Sequence, residues 1–408
     1  MSGVPGLANS RLALTGLQLA VAALLAACGG ASPPVSQPTS SSAPIPAAAW
    51  PAPPPTSASA SPPPASPSPS PVSGVAPPEG RVGGAAPSTA PALPVARGTG
   101  TVADRRLEEG DAAYGRGDFG GAERAYRAAA ALAPKDPAPI VGIARAGMAK
   151  ASIPTEYGGA PDDRTLLAVL VELQRAARLD PAYAPAHLEI GRAQLVLGRA
   201  AEALVALRRA AELAPADAET RSALGVAHLA QGNLDNAVRE LQRAAELAPG
   251  DPDRHANLGT ALLAAGKTPD AIQAYERAAR LAPADARIQN DLGTALLAAN
   301  EPARAIAHLT TAVTRDPRRA TYRQNLGYAH HLQGDLPKAM AHYREALAID
   351  DKLGSAWINL GNALAQSGRR AEARDAYLKA QAIDPTDPRV KAVMEELDAI
   401  ERKTGGAP

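Results

Sequence analysis

A 34-residue pattern recurs eight times between Ala103 and Asp387. Ala218 to Asp251 is one copy and Pro252 to Asp285 is the next. Self-similarity at this period marks helix pairs that cannot bury their apolar faces alone, so an interior exists only where neighbours stack. The copies run 103–136, 137–183, 184–217, 218–251, 252–285, 286–319, 320–353 and 354–387. The second copy is longer than the rest. Its extra residues, from about Ala151 to Asp163, include Pro154, Tyr157, Gly158, Gly159 and Pro161. Insertions in such arrays map to loops on one face. This one reads either as a partner-contact loop or as a tolerated insertion.

Within a copy each recurring residue has a physical role. Gly225, Gly232, Ala237, Leu241, Ala244 and Pro249 return as Gly259, Gly266, Ala271, Tyr275, Ala278 and Pro283, and in the last copy as Gly361, Gly368, Ala373, Tyr377, Ala380 and Pro385. Small Gly225 and Ala237 let the two helices of one copy approach, and Leu241 is expected to fill the space between neighbouring copies. Gly232 sits where the first helix ends and the backbone turns left-handed. Pro249 stops the second helix, and Asp251-Pro252 caps and opens the next. Asn300 stands at the turn position in the sixth copy, where Asn is the other residue that tolerates the turn. Asp351 replaces the Pro of the seventh copy, a small loss. Glu109 replaces an apolar residue in the first copy, which is therefore expected to fray first. Beyond the last copy, Val390, Val393, Met394, Leu397 and Ile400 make one apolar helical face opposite Lys391, Glu395, Glu396 and Arg402, the pattern of a solvating cap over 388–403.

These positions resemble the tetratricopeptide repeat, and the resemblance covers about 285 residues. It implies an all-α fold: a right-handed α-solenoid of about eight helix pairs with a C-terminal capping helix. In that family the first helices line a concave groove that binds proteins or extended peptides.

The first hundred residues have a different character. Residues Leu12 to Ala27 form an apolar run too short to span a bilayer comfortably, with Arg11 before it, which is the layout of a secretory signal. The run ends in Leu25-Ala26-Ala27-Cys28-Gly29, which resembles the bacterial lipoprotein processing box. That resemblance implies removal of residues 1–27 and acylation of Cys28, the single cysteine of the chain. Gly29, where Asp would mark inner-membrane retention, favours the outer membrane, with the folded part facing the periplasm. Of the 39 prolines, 20 lie between Ala31 and Gly100. Together with Ser, Ala and Gly they leave too little apolar surface to offset chain entropy. Residues 28–100 are thus expected to form a disordered tether, about 200 Å long if fully extended. A ligand for a Pro-binding domain is the competing reading, and Trp50 has no assigned part.

The sixth residue of each copy faces the groove in the resembling family. Here it is Asn257, Asp291, Asn325 and Asn359 in four successive copies, with Asn290, Tyr328, His331 and Asn362 expected nearby. The series resembles the asparagine ladder of O-linked N-acetylglucosamine transferases, where side-chain amides hold an extended polypeptide backbone. An amide can both donate to and accept from a peptide unit, which makes it sequence-tolerant. At about 0.5–1.5 kcal/mol per bond, four rungs fall short of the roughly 8 kcal/mol that micromolar affinity requires, so apolar contacts must contribute. A purely structural role for the asparagines stays open. Glu189 and Ala223 break the series in the earlier copies, and Leu188, Ser222 and Ala256 stand where a carboxylate clamp would need Lys and Asn.

The net charge is +1, so no global field favours nucleic acid. Charges of both signs are interspersed along the repeats, which reads as a solvated surface. One cysteine permits neither an internal disulfide nor a Cys-based zinc site. His330, His331 and His342 form no metal-binding motif, and no phosphate loop or nucleophile elbow is present. The expectation is a non-enzymatic, lipid-anchored scaffold of the bacterial envelope, with no cofactor, metal or small-molecule substrate. The alternative is an accessory or regulatory subunit of an envelope enzyme, for example in sugar transfer or cell-wall remodelling.

Overall fold

The computed structural model describes residues 93–153 and 157–404. The signal and acylation readings over 1–28, and most of the tether span, lie outside the described residues. Among those described there are seventeen helices and no strands. They are α1 Val102–Gly115, α2 Phe119–Leu132, α3 Ala138–Lys150, α4 Arg164–Leu179, α5 Ala184–Val196, α6 Ala200–Leu213, α7 Ala218–Ala230, α8 Leu234–Leu247 and α9 Pro252–Ala264. They continue with α10 Thr268–Leu281, α11 Ala286–Ala298, α12 Pro302–Arg315, α13 Ala320–Leu332, α14 Leu336–Ile349, α15 Gly354–Gln366, α16 Arg370–Ile383 and α17 Pro388–Thr404. Odd-numbered helices up to α15 open a repeat and even-numbered ones close it. Each packs chiefly on the helices just before and after it in the chain, as a solenoid requires.

Local chemistry explains the boundaries. The Asp217, Asp251 and Asp285 carboxylates accept from the backbone N–H groups of Thr220, Asp253 and Ile288, satisfying donors that the first turn leaves free. Between the two helices of a repeat the chain turns through a residue of positive φ, as at Gly232 with 72°. Asn300 takes the same turn at 59°, the substitution its side chain tolerates. Without Pro at 351, α14 keeps the 14-residue length of the other closing helices from α6 to α16.

Leu241 lies over Gly225 of its own repeat, so close that a Cβ on the glycine would meet its Cγ at 2.5 Å. The large residue of the second helix thus fills the space its own glycine leaves open, a contact nearer than the inter-repeat one expected. Tyr275 over Gly259 and Tyr343 over Gly327 repeat the arrangement. Burying each such side chain contributes on the order of 1.5–3 kcal/mol.

Two connections add to the repeats. In the insertion, Gly158 and Ala160 donate their N–H groups to the Leu195 and Val196 carbonyls, and the Tyr157 hydroxyl donates to Gly198. The loop therefore satisfies carbonyls at the end of α5 that its helix cannot. The span read as tether ends in a structured segment. Residues Leu93 to Gly100 lie across the opening helices of repeats 1 to 3, with Val95 fully buried. Repeat 1, with Glu109 exposed as its polarity requires, is braced by that segment.

Candidate functional site

The face formed by the opening helices changes character along the array. From α3 to α11 it is ionic. Arg145 meets Glu189 at 2.8 Å, and Glu189 also meets Arg192 at 3.4 Å. Arg192 approaches Glu219 at 3.7 Å, which pairs with Arg254 at 2.6 Å. Arg254 lies 3.3 Å from Asp251. Further on, Arg287 bridges Asp253 and Asp291. Arg145, Glu189 and Arg254 are at most 3% accessible, so the expectation of a solvated charge pattern does not hold on this face. Burial alone would raise the Glu219 carboxyl, but Arg192 and Arg254 outweigh it and hold the group below the ordinary carboxylate range. Sequence reading missed this chain of charges, although the partners Glu219 and Arg254 stand 35 residues apart and Asp253 and Arg287 34 apart. A search for opposite charges at the repeat period would have found them.

From α9 to α15 the face carries amides and rings. Asn257 donates to the Ser222 hydroxyl at 3.2 Å, and Asn325 donates to the Asn290 carbonyl at 2.9 Å. Each bond ties one opening helix to the preceding one. Asp291 is held by Arg287 at 3.5 Å and accepts from Asn290 at 3.4 Å, so it belongs to the ionic chain. His331 contacts the Gln366 carbonyl at 3.1 Å through Nε2 and the Tyr343 hydroxyl at 3.5 Å through Nδ1. Burial keeps its imidazole below the ordinary range, with the Gln366 bond opposing that shift. Tyr328 is buried beside it, with ring centroids 6.3 Å apart. Asn257, Asn325 and His331 are thus engaged within the protein.

Asn359 and Asn362 differ. In the pattern of Asn325, Asn359 would donate to residue 324 of the preceding repeat. The Gln324 carbonyl instead accepts from the Ser355 hydroxyl at 2.8 Å. The Asn359 Nδ2 is buried and has no hydrogen-bond partner among the described residues. Asn362 accepts from the Tyr377 hydroxyl at 2.8 Å, which leaves its own Nδ2 buried and without a partner. The two residues are one helical turn apart, 2% and 6% accessible. An unsatisfied buried donor costs about 1–3 kcal/mol, and a carbonyl would recover that energy only where a local opening of the face admits it to these shielded atoms. Gln324, Ser355 and Gln366 share this surface and were not singled out from sequence. Among the described residues, no group of three or more His, Cys, Asp or Glu side chains could hold a metal ion, and no helix is long and apolar enough to cross a membrane.

The profile described as "Tetratricopeptide repeat" matches residues 107–146, 188–252, 222–286, 256–317 and 290–353, and a second of the same description matches 330–397. None of the curated proteins matches the chain in sequence. Among solved structures, the APC/C hetero-tetramer Cut9–Hcn1 superposes with a TM-score of 0.55 at 15% identity, over 72% of this chain and 56% of that one. The chain therefore spans little more than half the length of that structure. YrrB, a tetratricopeptide repeat protein with an unusual peptide-binding site, gives a TM-score of 0.39 at 21% identity over 46% of this chain and 97% of its own. PilF of Pseudomonas aeruginosa gives 0.46 at 19% identity over 53% and 98%.

Proposed function

The chain belongs to the tetratricopeptide repeat family, and from that premise we propose that it is a membrane-tethered scaffold binding extended peptide segments of envelope proteins. The observation that carries the peptide reading is the pair of buried amide donors at Asn359 and Asn362 on the last opening helix. Two donors one turn apart on one face suit carbonyls two residues apart, which lie on the same side of an extended chain, and such recognition is blind to side-chain identity. The support for the membrane anchor is the sequence before the repeats. There the single cysteine stands at Cys28 behind Leu25-Ala26-Ala27, and a proline-rich span follows. Three acyl chains at about 0.8 kcal/mol per buried methylene would make such an anchor lasting. Acylation, outer-membrane placement and a role in assembling an envelope complex are parts of this proposal.

Cross-linking in cells followed by mass spectrometry identifies the partner, and the chain with Asn359→Ala and Asn362→Ala tests the site. Capture of the cross-linked partner should fall about tenfold, corresponding to roughly 1.4 kcal/mol, while helicity is retained. Undiminished capture would discard the site. Cys28→Ser should move the protein from the membrane to the soluble fraction, and unchanged membrane retention would discard the anchor.

A further inference from the structure

The segment Leu93 to Gly100 has the sequence Leu-Pro-Val-Ala-Arg-Gly-Thr-Gly and lies outside any helix. Its contacts are those of a bound ligand. The N–H groups of Val95 and Ala96 both donate to Asp111 Oδ2, at 2.8 and 3.0 Å. Those of Arg97, Thr99 and Gly100 donate to the Asp104 carboxylate. The Tyr183 hydroxyl donates to the Val95 carbonyl at 2.5 Å, and Arg145 donates to the Leu93 carbonyl at 3.0 Å. Asp104 and Asp111 stand on α1, Arg145 on α3, and Tyr183 just before α5. Residues on or beside three successive opening helices therefore bond the main chain of one segment.

Two side chains add selectivity. Val95 is fully buried. Arg97 reaches Asp180 at 2.9 Å and Asp136 at 3.4 Å, with its guanidinium 4.4 Å from the Tyr183 ring centroid. The segment bends at Val95 and Gly98, and the valine and arginine side chains both meet the helices. The site also extends past the strand. Arg145 Nη2 and Glu189 Oε2, both buried, have no hydrogen-bond partner among the described residues.

We propose that the opening-helix face of repeats 1 to 3 is a second peptide-binding site. It takes a bent segment with a small branched apolar residue two positions before an arginine, and the chain keeps it closed with its own Leu93–Gly100. Thr101 alone links this strap to α1, which sets an effective concentration of at least about the millimolar range, so a free peptide of the same chemistry competes poorly. This face is thereby closed to other peptides until the strap is released. The proposal shares with the proposed function only the idea that this face binds peptides. It depends on neither the membrane anchor nor the amide pair of α15.

The test uses the full chain and a fluorescent octapeptide of the strap sequence. Val95→Asp sets a carboxylate against Asp111, and Arg97→Glu sets one against Asp136 and Asp180, so the double variant releases the strap. It should bind the peptide at least about tenfold more tightly than the unaltered chain. Adding Asp111→Asn to the released chain should remove that gain. Equal binding by the unaltered and released chains, or no binding by either, overturns the proposal. If the double variant loses helicity, Arg97→Glu alone serves, since that side chain is one third accessible and leaves no cavity. Hydrogen exchange on the unaltered chain gives an independent reading. The amides of Val95, Ala96, Arg97, Thr99 and Gly100 should exchange at least tenfold more slowly than in the free octapeptide, and equal rates would overturn the proposal as well. Loss of partner capture in the Asn359 and Asn362 variant leaves all these outcomes unchanged, so the two sites fail separately.

Discussion

Gly259 shows how much a single position decides. A Cβ there would meet Tyr275 Cγ at 2.9 Å, on a ring that is itself 2% accessible and cannot swing away. Gly259→Ala therefore overpacks the repeat and should cost about 1–3 kcal/mol, although alanine is the better helix former. Urea denaturation measures the loss, and an unchanged midpoint would refute the close approach. Histidines decide the pH response. Burial is the main reason that His228, His308, His330 and His331 all sit below the ordinary imidazole range. For a base whose folded pKa is depressed, the unfolded chain binds more protons, so stability falls as pH drops below the unfolded value near 6.5. The melting temperature should decline between pH 7 and pH 5, by roughly 2–4 °C for each kcal/mol lost. His331→Gln should make the decline shallower. A melting temperature that is flat or rises over that interval would contradict the burial argument.

Between elements, the ionic chain does what apolar packing does elsewhere. Arg145 on α3 and Glu189 on α5 are 3% and 1% accessible, so each desolvates the other. Glu189→Leu leaves the Arg145 guanidinium buried and bonded to the Leu93 carbonyl but without its carboxylate, and should cost about 3 kcal/mol. Adding Arg145→Met removes the stranded charge and should restore most of that stability. A double variant no more stable than the single one would show that the pair is not the coupling unit. Such links explain what the sequence could and could not reveal. The helix pairs were legible because their requirements are local: Gly225 beside Leu241, a positive-φ turn at Gly232, an aspartate cap at Asp251. The asparagine series was legible as a position but not as a set of bonds. Whether Asn359 finds an acceptor depends on Ser355 having taken Gln324, a contact between repeats. The strap was illegible for a further reason. Its strand has no periodicity, and its bonds run from the main chain to Asp104, Asp111, Arg145 and Tyr183.

Over the whole array the interior is a succession of overlapping blocks. One buried cluster runs from Val95 to Ala206, a second from Leu188 to Ala261, and a third from Ala256 to Leu397. The blocks interleave in sequence, so neighbouring repeats carry the coupling and distant ones do not. Both ends are closed by something other than a repeat: the strap over repeats 1 to 3, and α17 over repeat 8. The closing helix lays Val390 against Ile358 and Ala380, and Leu397 is 2% accessible within the third block. Ending the chain after Asp387 removes these contacts and uncovers Ile358, a residue otherwise fully buried. In a nearest-neighbour array the damage should be greatest in α15 and α16, weaker in repeat 7, and absent from repeats 3 and 4. Hydrogen exchange resolved by helix distinguishes this gradient from a uniform loss of protection, which would mean that the array unfolds as one unit. The same truncation also bears on the amide pair, because Asn359 and Asn362 stand on α15 beneath the cap. If the cap holds that helix in place, its removal should weaken partner capture by repeats 5 to 8 and leave the strap amides of Val95 and Ala96 protected as before.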